Sequence, residues 1–112
     1  MELHDGRRRP KGNRDDVLKA YVMSAIADDY EDFQEISTVT TRWASEDGLQ
    51  FDRKEILIAL GKLIQSGDAQ CYLLSPHPPH TSLAEYSESR VEEVWFMLTT
   101  KGIWELSRLD AQ

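Results

Sequence analysis

The stretch FDRKEILIALGKLIQSGDAQCYLL, residues 51–74, constrains the fold more than any other part of the chain. Asp52 and Glu55 have the spacing of a capping box, in which each side chain satisfies a free backbone donor at a helix start. Gly67 is a typical helix stop, and the segment AQCYLL after it has strand chemistry. The residues between the cap and the stop form an apolar stripe at helical spacing: Ile56, Leu57, Leu60, Leu63 and Ile64. The stretch therefore predicts a core helix over residues 53–66, followed by a strand.

Two further helices are predicted before this stretch. From Asp15 to about Tyr30 the apolar residues share one helical face, and Asn13 or Asp15 can cap its start. The acid-rich continuation ADDYEDFQEI either extends this helix or breaks it. STVTTRWASEDGL then predicts a short second helix, with Ser37 as its N-cap and Gly48 as its stop.

Two strands and a closing helix are predicted towards the end of the chain. AQCYLL and VEEVWFML, residues 91–98, are the strands, and three prolines between them predict an irregular loop. Trp95 and Met97 share one face of the second strand, and both of its faces are apolar. The closing helix or a second subunit must therefore cover one of them. Thr99 or Thr100 caps that helix, whose inward residues are expected to be Ile103, Leu106 and Leu109.

Composition places the chain among small globular domains. Its 112 residues are enough for one domain, and hydrophobic residues make up 40% of them. No apolar run is long enough to span a membrane, and the first residues lack the apolar segment of a secretory signal. The single cysteine, Cys71, excludes an internal disulfide and suits a reducing cytosol. We therefore expect a cytoplasmic protein.

Charge is spread unevenly along the chain. The net charge is −7, but residues 1–14 carry five Lys or Arg against two acids, whereas residues 15–112 carry eight against eighteen. An acidic body repels a phosphate backbone, and a basic arm attracts one. We expect residues 1–14 to be a flexible basic arm and residues 15–112 to be the folded domain.

The predicted order of helices and strands, together with two segments of sequence, resembles the winged-helix family of helix-turn-helix domains. The segments are EILIALGKLIQSGDAQCY and VWFMLTTKGIWEL. In the second, four residues match the LTxxG-x-x-x-L pattern that follows the second wing strand in many family members: Leu98, Thr99, Gly102 and Leu106. The resemblance implies a small α+β fold with a three-helix core, a two-stranded β-hairpin wing and a short C-terminal helix.

The resemblance also implies where DNA would bind, because the third helix of DNA-binding family members enters the major groove. Arg and Lys suit guanine edges or phosphates, and Gln can pair with adenine. Exposed residues of these types are equally typical of a solvated helix face. The candidates on the third helix are Arg53, Lys54, Lys62 and Gln65. The candidates on the second helix are Thr40, Thr41 and Arg42.

The basic amino-terminal segment favours DNA binding, and the acidic predicted wing opposes it. The amino-terminal GRRRPKG is similar to an AT-hook, a minor-groove peptide, but Arg8 stands where that motif has glycine. The segment is therefore either an untethered tail or a cationic arm that adds phosphate affinity without reading sequence. The arm contacts would come from Arg7, Arg8 and Arg9. The predicted wing opposes DNA binding, since residues 75–93 carry four glutamates against one arginine.

Catalytic and metal sites are not expected. The sequence has no glycine-rich phosphate loop, HExxH or paired-cysteine motif. His77 and His80 invite a zinc interpretation, but zinc needs three or four ligands and no third one is close in sequence. We therefore predict neither enzyme activity nor a metal or cofactor.

Two functions of different classes are consistent with these observations. The resemblance and the arginine-rich arm favour the first, which is our prediction: a DNA-binding transcriptional regulator, with residues 53–66 as the recognition helix and double-stranded DNA as the partner. The second is an acidic protein-interaction module that binds a basic protein partner and no DNA. Trp104 lies outside the inward line of the closing helix, so it is either a homodimer contact or part of ordinary edge packing.

Overall fold

The computed structural model describes residues 13–110 and shows a mixed α+β fold. Its helices are α1 (Arg14–Ala25), α2 (Phe33–Glu46), α3 (Arg53–Ser66) and α4 (Thr100–Asp110). Its strands are β1 (Glu31–Asp32), β2 (Ala69–Leu74), β3 (Thr81–Ala84) and β4 (Trp95–Leu98). A 3-10 helix, Glu88–Glu93, connects β3 with β4. Within residues 13–110 the strands form one antiparallel sheet in the order β1-β4-β2-β3.

Helix α3 and the strand after it confirm the prediction from residues 51–74. Asp52 Oδ1 accepts from Glu55 N at 2.8 Å, and Glu55 Oε1 accepts from Asp52 N at 3.0 Å. Gly67 ends the helix with a φ of +84°, a conformation that favours glycine. The apolar stripe faces the core, because Ile56, Leu57, Leu60 and Leu63 are buried and Ile64 packs against them.

Helix α1 is shorter than the sequence predicted. Asn13 caps its start, where the side-chain oxygen accepts from Asp16 N at 2.9 Å. The helix ends at Ala25 instead of near Tyr30. A tertiary contact ends it there, because the Ile26 carbonyl accepts a hydrogen bond from Leu98 N at 3.1 Å and the chain turns towards the sheet.

Helix α2 begins earlier than predicted. Residues Glu31–Asp32 form the short strand β1, and Asp32 then caps α2 by accepting from Glu35 N at 2.8 Å. Ser37 is therefore not the cap but lies inside the helix. The earlier start places Phe33 and Ile36 in the core, and both are almost fully buried.

The sheet has more strands than the predicted hairpin. The predicted strand over residues 91–98 is extended only at Trp95–Leu98, and the residues before it form the 3-10 helix with Val91 in the core. Strand β3 lies in the segment predicted to be irregular. The prolines occupy the turn, where Ser75 N donates to the His80 carbonyl at 2.9 Å. Residues 81–84 follow the prolines and are free to pair with β2.

The closing helix α4 packs chiefly against α1. Leu109 is buried and Leu106 partly buried, as predicted, but Ile103 is 48% exposed and its predicted inward direction is wrong. Gly102 faces inward instead. A Cβ at that position would lie 2.0 Å from the Asp68 carbonyl oxygen, so the close approach requires glycine.

Thr99 joins the end of α3 to the start of α4. Its Oγ1 donates to the Gly67 carbonyl at 2.6 Å and accepts from Gly102 N at 3.0 Å. Its backbone N–H donates to the Asp68 carbonyl at 3.0 Å. The LTxxG-type segment is therefore a joint in which threonine caps α4 and glycine permits the contact with Asp68.

Candidate nucleic-acid interface

The exposed side of α3 carries the residues that were expected to contact DNA: Arg53, Lys54, Lys62 and Gln65. Their direction follows from the amphipathic pattern. Burial of Leu60 and Leu63 on one side turns the polar side towards solvent. Exposure alone does not make this side available to a phosphate backbone, because its first half is in contact with another segment.

Residues 85–93, which we call the cover segment, contact the exposed side of α3 at positions from Arg53 to Gly61. Arg53 Nη2 is 3.4 Å from Glu92 Oε2, and Lys54 Nζ is 2.9 Å from Glu88 Oε1. Exposed pairs of this kind contribute little to stability. Their consequence is electrostatic, since carboxylates of the cover segment compensate the two cations at the start of α3.

Tyr86 anchors the cover segment on α3. Its hydroxyl donates to the Leu57 carbonyl at 3.0 Å, and its ring packs edge-on against Phe96 with centroids 6.1 Å apart. A Cβ on Gly61 would lie 3.2 Å from the Tyr86 ring, so the small residue makes room for it. Burial raises the pKa of Tyr86 to about 12, and the charge of Glu88 adds to the increase. The segment is therefore held by a partly buried phenol as well as by surface charge.

The candidates on α2 separate into exposed and buried residues. Thr41 and Arg42 are exposed. Thr40 is fully buried, and its Oγ1 has no hydrogen-bond partner among the described residues. Contrary to expectation, Thr40 belongs to the core and not to a DNA-contacting surface.

Two of the candidate cations differ from Arg53 and Lys54 in their contacts with described residues. Among residues 13–110, neither Arg42 nor Lys62 enters an ion pair, and both are exposed. They lie on different helices, α2 and the second half of α3. They are the part of the predicted interface that the cover segment does not neutralise.

The basic arm lies almost entirely outside the described residues. This applies to the arginines expected to contact phosphates, Arg7, Arg8 and Arg9. Arg14, which the charge count assigned to the arm, is the first residue of α1. Its Nη2 donates to Glu55 Oε2 at 3.0 Å, and its guanidinium carbon lies 4.3 Å from the centroid of the Phe51 ring. Arg14 is therefore part of the folded domain.

The histidines His77 and His80 lie in the turn between β2 and β3. His80 Nδ1 is 3.2 Å from the Ser75 carbonyl oxygen. In the described part of the chain, no group of three or more His, Cys, Asp or Glu residues is arranged to hold a metal ion. The turn therefore has a hydrogen-bonded geometry of its own, which accounts for the position of His80.

An acidic cluster surrounds β1, and the sequence did not single it out as a functional feature. Its members are Asp28, Asp29, Glu31, Asp32 and Glu35. None of them enters an ion pair with a described residue. Partial burial raises the pKa of Glu31, and the charges of the neighbouring carboxylates raise it further. The sequence feature that indicates this cluster is the density of acids in ADDYEDFQEI, from which we predicted only a possible helix end.

Trp104 lies on the open side of α4. It is 73% exposed, and Ile103 beside it is 48% exposed. This exposure agrees with a position outside the inward line of the helix. The homodimer contact expected at Trp104 stays a prediction.

Comparison with family models, curated proteins and solved structures finds no significant match to this chain.

Proposed function

We propose that this protein is an acidic winged-helix interaction module that binds a basic protein partner and does not read DNA with α3. One observation carries the proposal: the cover segment compensates Arg53 and Lys54 and is anchored on α3 by Tyr86. The order of elements and the Thr99 joint support the winged-helix part of the proposal.

The charges around the start of α3 disfavour contact with a phosphate backbone. DNA affinity comes largely from cations that replace the counterions of the phosphates. At the start of α3 these cations already face carboxylates at 2.9 and 3.4 Å. The cover segment also carries Glu85 and Glu93, so entry of α3 into a groove would move several negative charges towards DNA. The same charges favour association with a positively charged protein surface.

A DNA-binding transcriptional regulator is the second candidate, and one observation favours it. Arg42 and Lys62 are exposed and enter no ion pair with a described residue. In this candidate the arm of Arg7–Arg9 supplies phosphate contacts. Residues 53–66 enter the major groove only after the cover segment has moved away from the start of α3.

We also propose a cytoplasmic location. Cys71 is the one cysteine of the sequence, and it is buried. Its Sγ donates to the Ala84 carbonyl at 3.0 Å, which places the thiol inside the sheet. A buried unpaired thiol is compatible with a reducing compartment. Among residues 13–110, no helix combines the length and apolar character needed to cross a membrane.

Fluorescence anisotropy at low salt separates the two candidates. The ligands are a labelled mixed-sequence duplex and a labelled arginine-rich peptide. We expect the protein to bind the peptide, and we expect any duplex binding to disappear when Arg7, Arg8 and Arg9 are replaced by glutamine. Duplex binding that survives in this arm variant, and is lost on adding Arg53→Ala and Lys54→Ala, would overturn the proposal.

A charge-matched pair of variants sharpens this test. Glu88→Gln with Glu92→Gln frees the cations at the start of α3. Asp28→Asn with Asp29→Asn changes the net charge equally but lies outside the cover segment. The interaction module predicts equal, small changes in duplex affinity for the two variants, because only the overall charge matters. The regulator predicts a gain of about tenfold confined to the first variant, since released cations contact phosphates.

A further inference from the structure

The sheet has one buried face and one open face. Cys71 and Phe96 point into the core and are almost fully buried. The residues that alternate with them point to the other side, where the register places Tyr72 between Trp95 and Leu83. Tyr72 and Trp95 are partly buried, and Leu83 is 67% exposed.

A continuous row of side chains crosses this outer face. From β1 to β3 the register aligns Asp32, Trp95, Tyr72 and Leu83. The row is about 14 Å long, because neighbouring strands lie about 4.8 Å apart. The ring of Tyr30 adds to the aromatic surface of the row, because it packs edge-on against the ring of Tyr72 with centroids 5.1 Å apart. The outer face is therefore apolar and aromatic over three of the four strands.

The β1 end of the row is acidic. Asp32 belongs to the acidic cluster around β1, whose members enter no ion pair with a described residue. Glu31 pairs with Phe96 and so lies on the other side of β1 from Asp32. Partial burial raises its pKa, and the charges of Glu35, Asp29 and Asp32 raise it further. The surface thus changes along one line from the carboxylate of Asp32, beside the acidic cluster, to aromatic rings and then to an exposed leucine.

We propose that this outer face docks a short extended peptide segment of the basic partner, with cationic residues over the acidic cluster and aliphatic residues over Tyr72 and Leu83. The proposal rests on the proposed function and names the surface that performs it. Charge complementarity selects a cationic occupant at the β1 end. The rings of Trp95, Tyr30 and Tyr72 offer faces that attract Arg or Lys and an apolar surface for the rest. An extended peptide of about five residues spans the row.

The probe is a fluorescein-labelled hexapeptide of arginines followed by leucines, titrated into the full chain. Two control peptides replace the arginines by glutamates or the leucines by serines. The inference predicts that the arginine–leucine peptide binds more tightly than either control. Equal binding of the arginine–serine and arginine–leucine peptides would overturn it, because the apolar row would then contribute nothing.

Matched variants locate the binding surface. Leu83→Thr keeps strand propensity but removes the exposed leucine of the outer face. Leu73→Thr is the control, since Leu73 is 48% exposed on the opposite face of the same hairpin. We expect a loss of about tenfold in affinity for Leu83→Thr and less than about twofold for Leu73→Thr.

A second pair of variants tests the acidic end. Asp28→Asn with Asp29→Asn, two exposed members of the acidic cluster, is compared with Asp15→Asn with Glu85→Gln, which changes the net charge equally. Asp15 lies at the far end of α1, and Glu85 borders the α3 side of the domain. We expect a loss of about fivefold for the first variant only.

The outcomes distinguish this inference from the proposed function. Binding of the arginine–leucine peptide that both leucine variants weaken equally, or that neither acid variant weakens, would overturn the outer face as the site while the interaction module stands. No binding of either cationic peptide to the unchanged protein would overturn the interaction module itself. Circular dichroism of every variant confirms that lost binding does not reflect unfolding.

Discussion

At the scale of single residues, the backbone of Asp68 leaves no room for a side chain at Gly102. Gly102→Ala places a Cβ about 2 Å from the backbone oxygen of Asp68, which cannot rotate away as a side chain would. We expect the free energy of unfolding to fall by about 1–3 kcal/mol despite the better helix propensity of alanine. Denaturant unfolding measures this, with Ser107→Ala on the exposed side of α4 as the control. An unchanged midpoint would contradict the close contact.

Thr40 illustrates the opposite case, a buried polar group without a partner among the described residues. Thr40→Val replaces the hydroxyl by a methyl group of similar size. We expect the free energy of unfolding to rise by about 1 kcal/mol, because a desolvated hydroxyl that makes no hydrogen bond is costly. Thr41→Val on the exposed surface should change it by less than about 0.5 kcal/mol. A clear destabilisation by Thr40→Val would show that the hydroxyl has a partner.

At the scale of elements, local signals were enough for α3 and β2. The capping box of Asp52 and Glu55, the apolar stripe and Gly67 all act within one segment, so the sequence predicted them correctly. Strands β1 and β3 exist because they pair with β4 and β2, which no local pattern reveals. The sequence predicted the direction of Arg53 and Lys54 but not their partners. These partners are 39 and 34 residues away along the chain, so only the fold brings them together.

The cover segment is the element on which the proposed function depends, and Tyr86→Phe tests its anchor. Loss of the hydrogen bond to the Leu57 carbonyl should lower the free energy of unfolding by about 1 kcal/mol. Tyr86 also has a pH signature, because its pKa rises from 10.0 to about 12 in the folded chain. A raised pKa stabilises the fold below about pH 10, and this contribution is lost as the pH rises towards 12.

The pH dependence of Tyr86→Phe gives the corresponding measurement. Between pH 10 and 12 the unchanged protein should lose more stability than the variant, since the variant has no phenol at this position to ionise. Parallel curves for the two proteins would contradict the burial of Tyr86 against α3.

At the scale of the whole molecule, the carboxylate of Glu105 connects the first helix, α1, with the last helix, α4. Hydrogen bonds from Arg108 and Lys19 lower the pKa of Glu105 from 4.5 to about 2, and so tie α4 to α1. A lowered pKa stabilises the fold above about pH 4.5, and this contribution is lost as the pH falls towards 2. Glu105→Gln should therefore be less stable than the unchanged protein at neutral pH, with the difference shrinking on acidification. Glu85→Gln is the control, and an equal difference at every pH would contradict the interpretation.

The charge balance of the whole molecule also explains why two functions were consistent with the sequence. A net charge of −7 with a basic amino terminus suits an acidic interaction module and a DNA-binding protein with a cationic arm. The fold changes this balance by placing Glu88 and Glu92 against the cations of α3. Charges that are separate in the sequence thus face each other at the start of α3.

The most direct test of whether the protein binds a basic peptide and not DNA through α3 is an amide chemical-shift map of the full chain on addition of duplex DNA, then of the arginine–leucine peptide. We expect DNA to leave the amides of residues 53–66 and of the cover segment unshifted, whereas the peptide shifts those of β1, Tyr72 and Leu83. DNA-induced shifts concentrated in residues 53–66, with release of the cover segment, would contradict this expectation and establish α3 as a recognition helix.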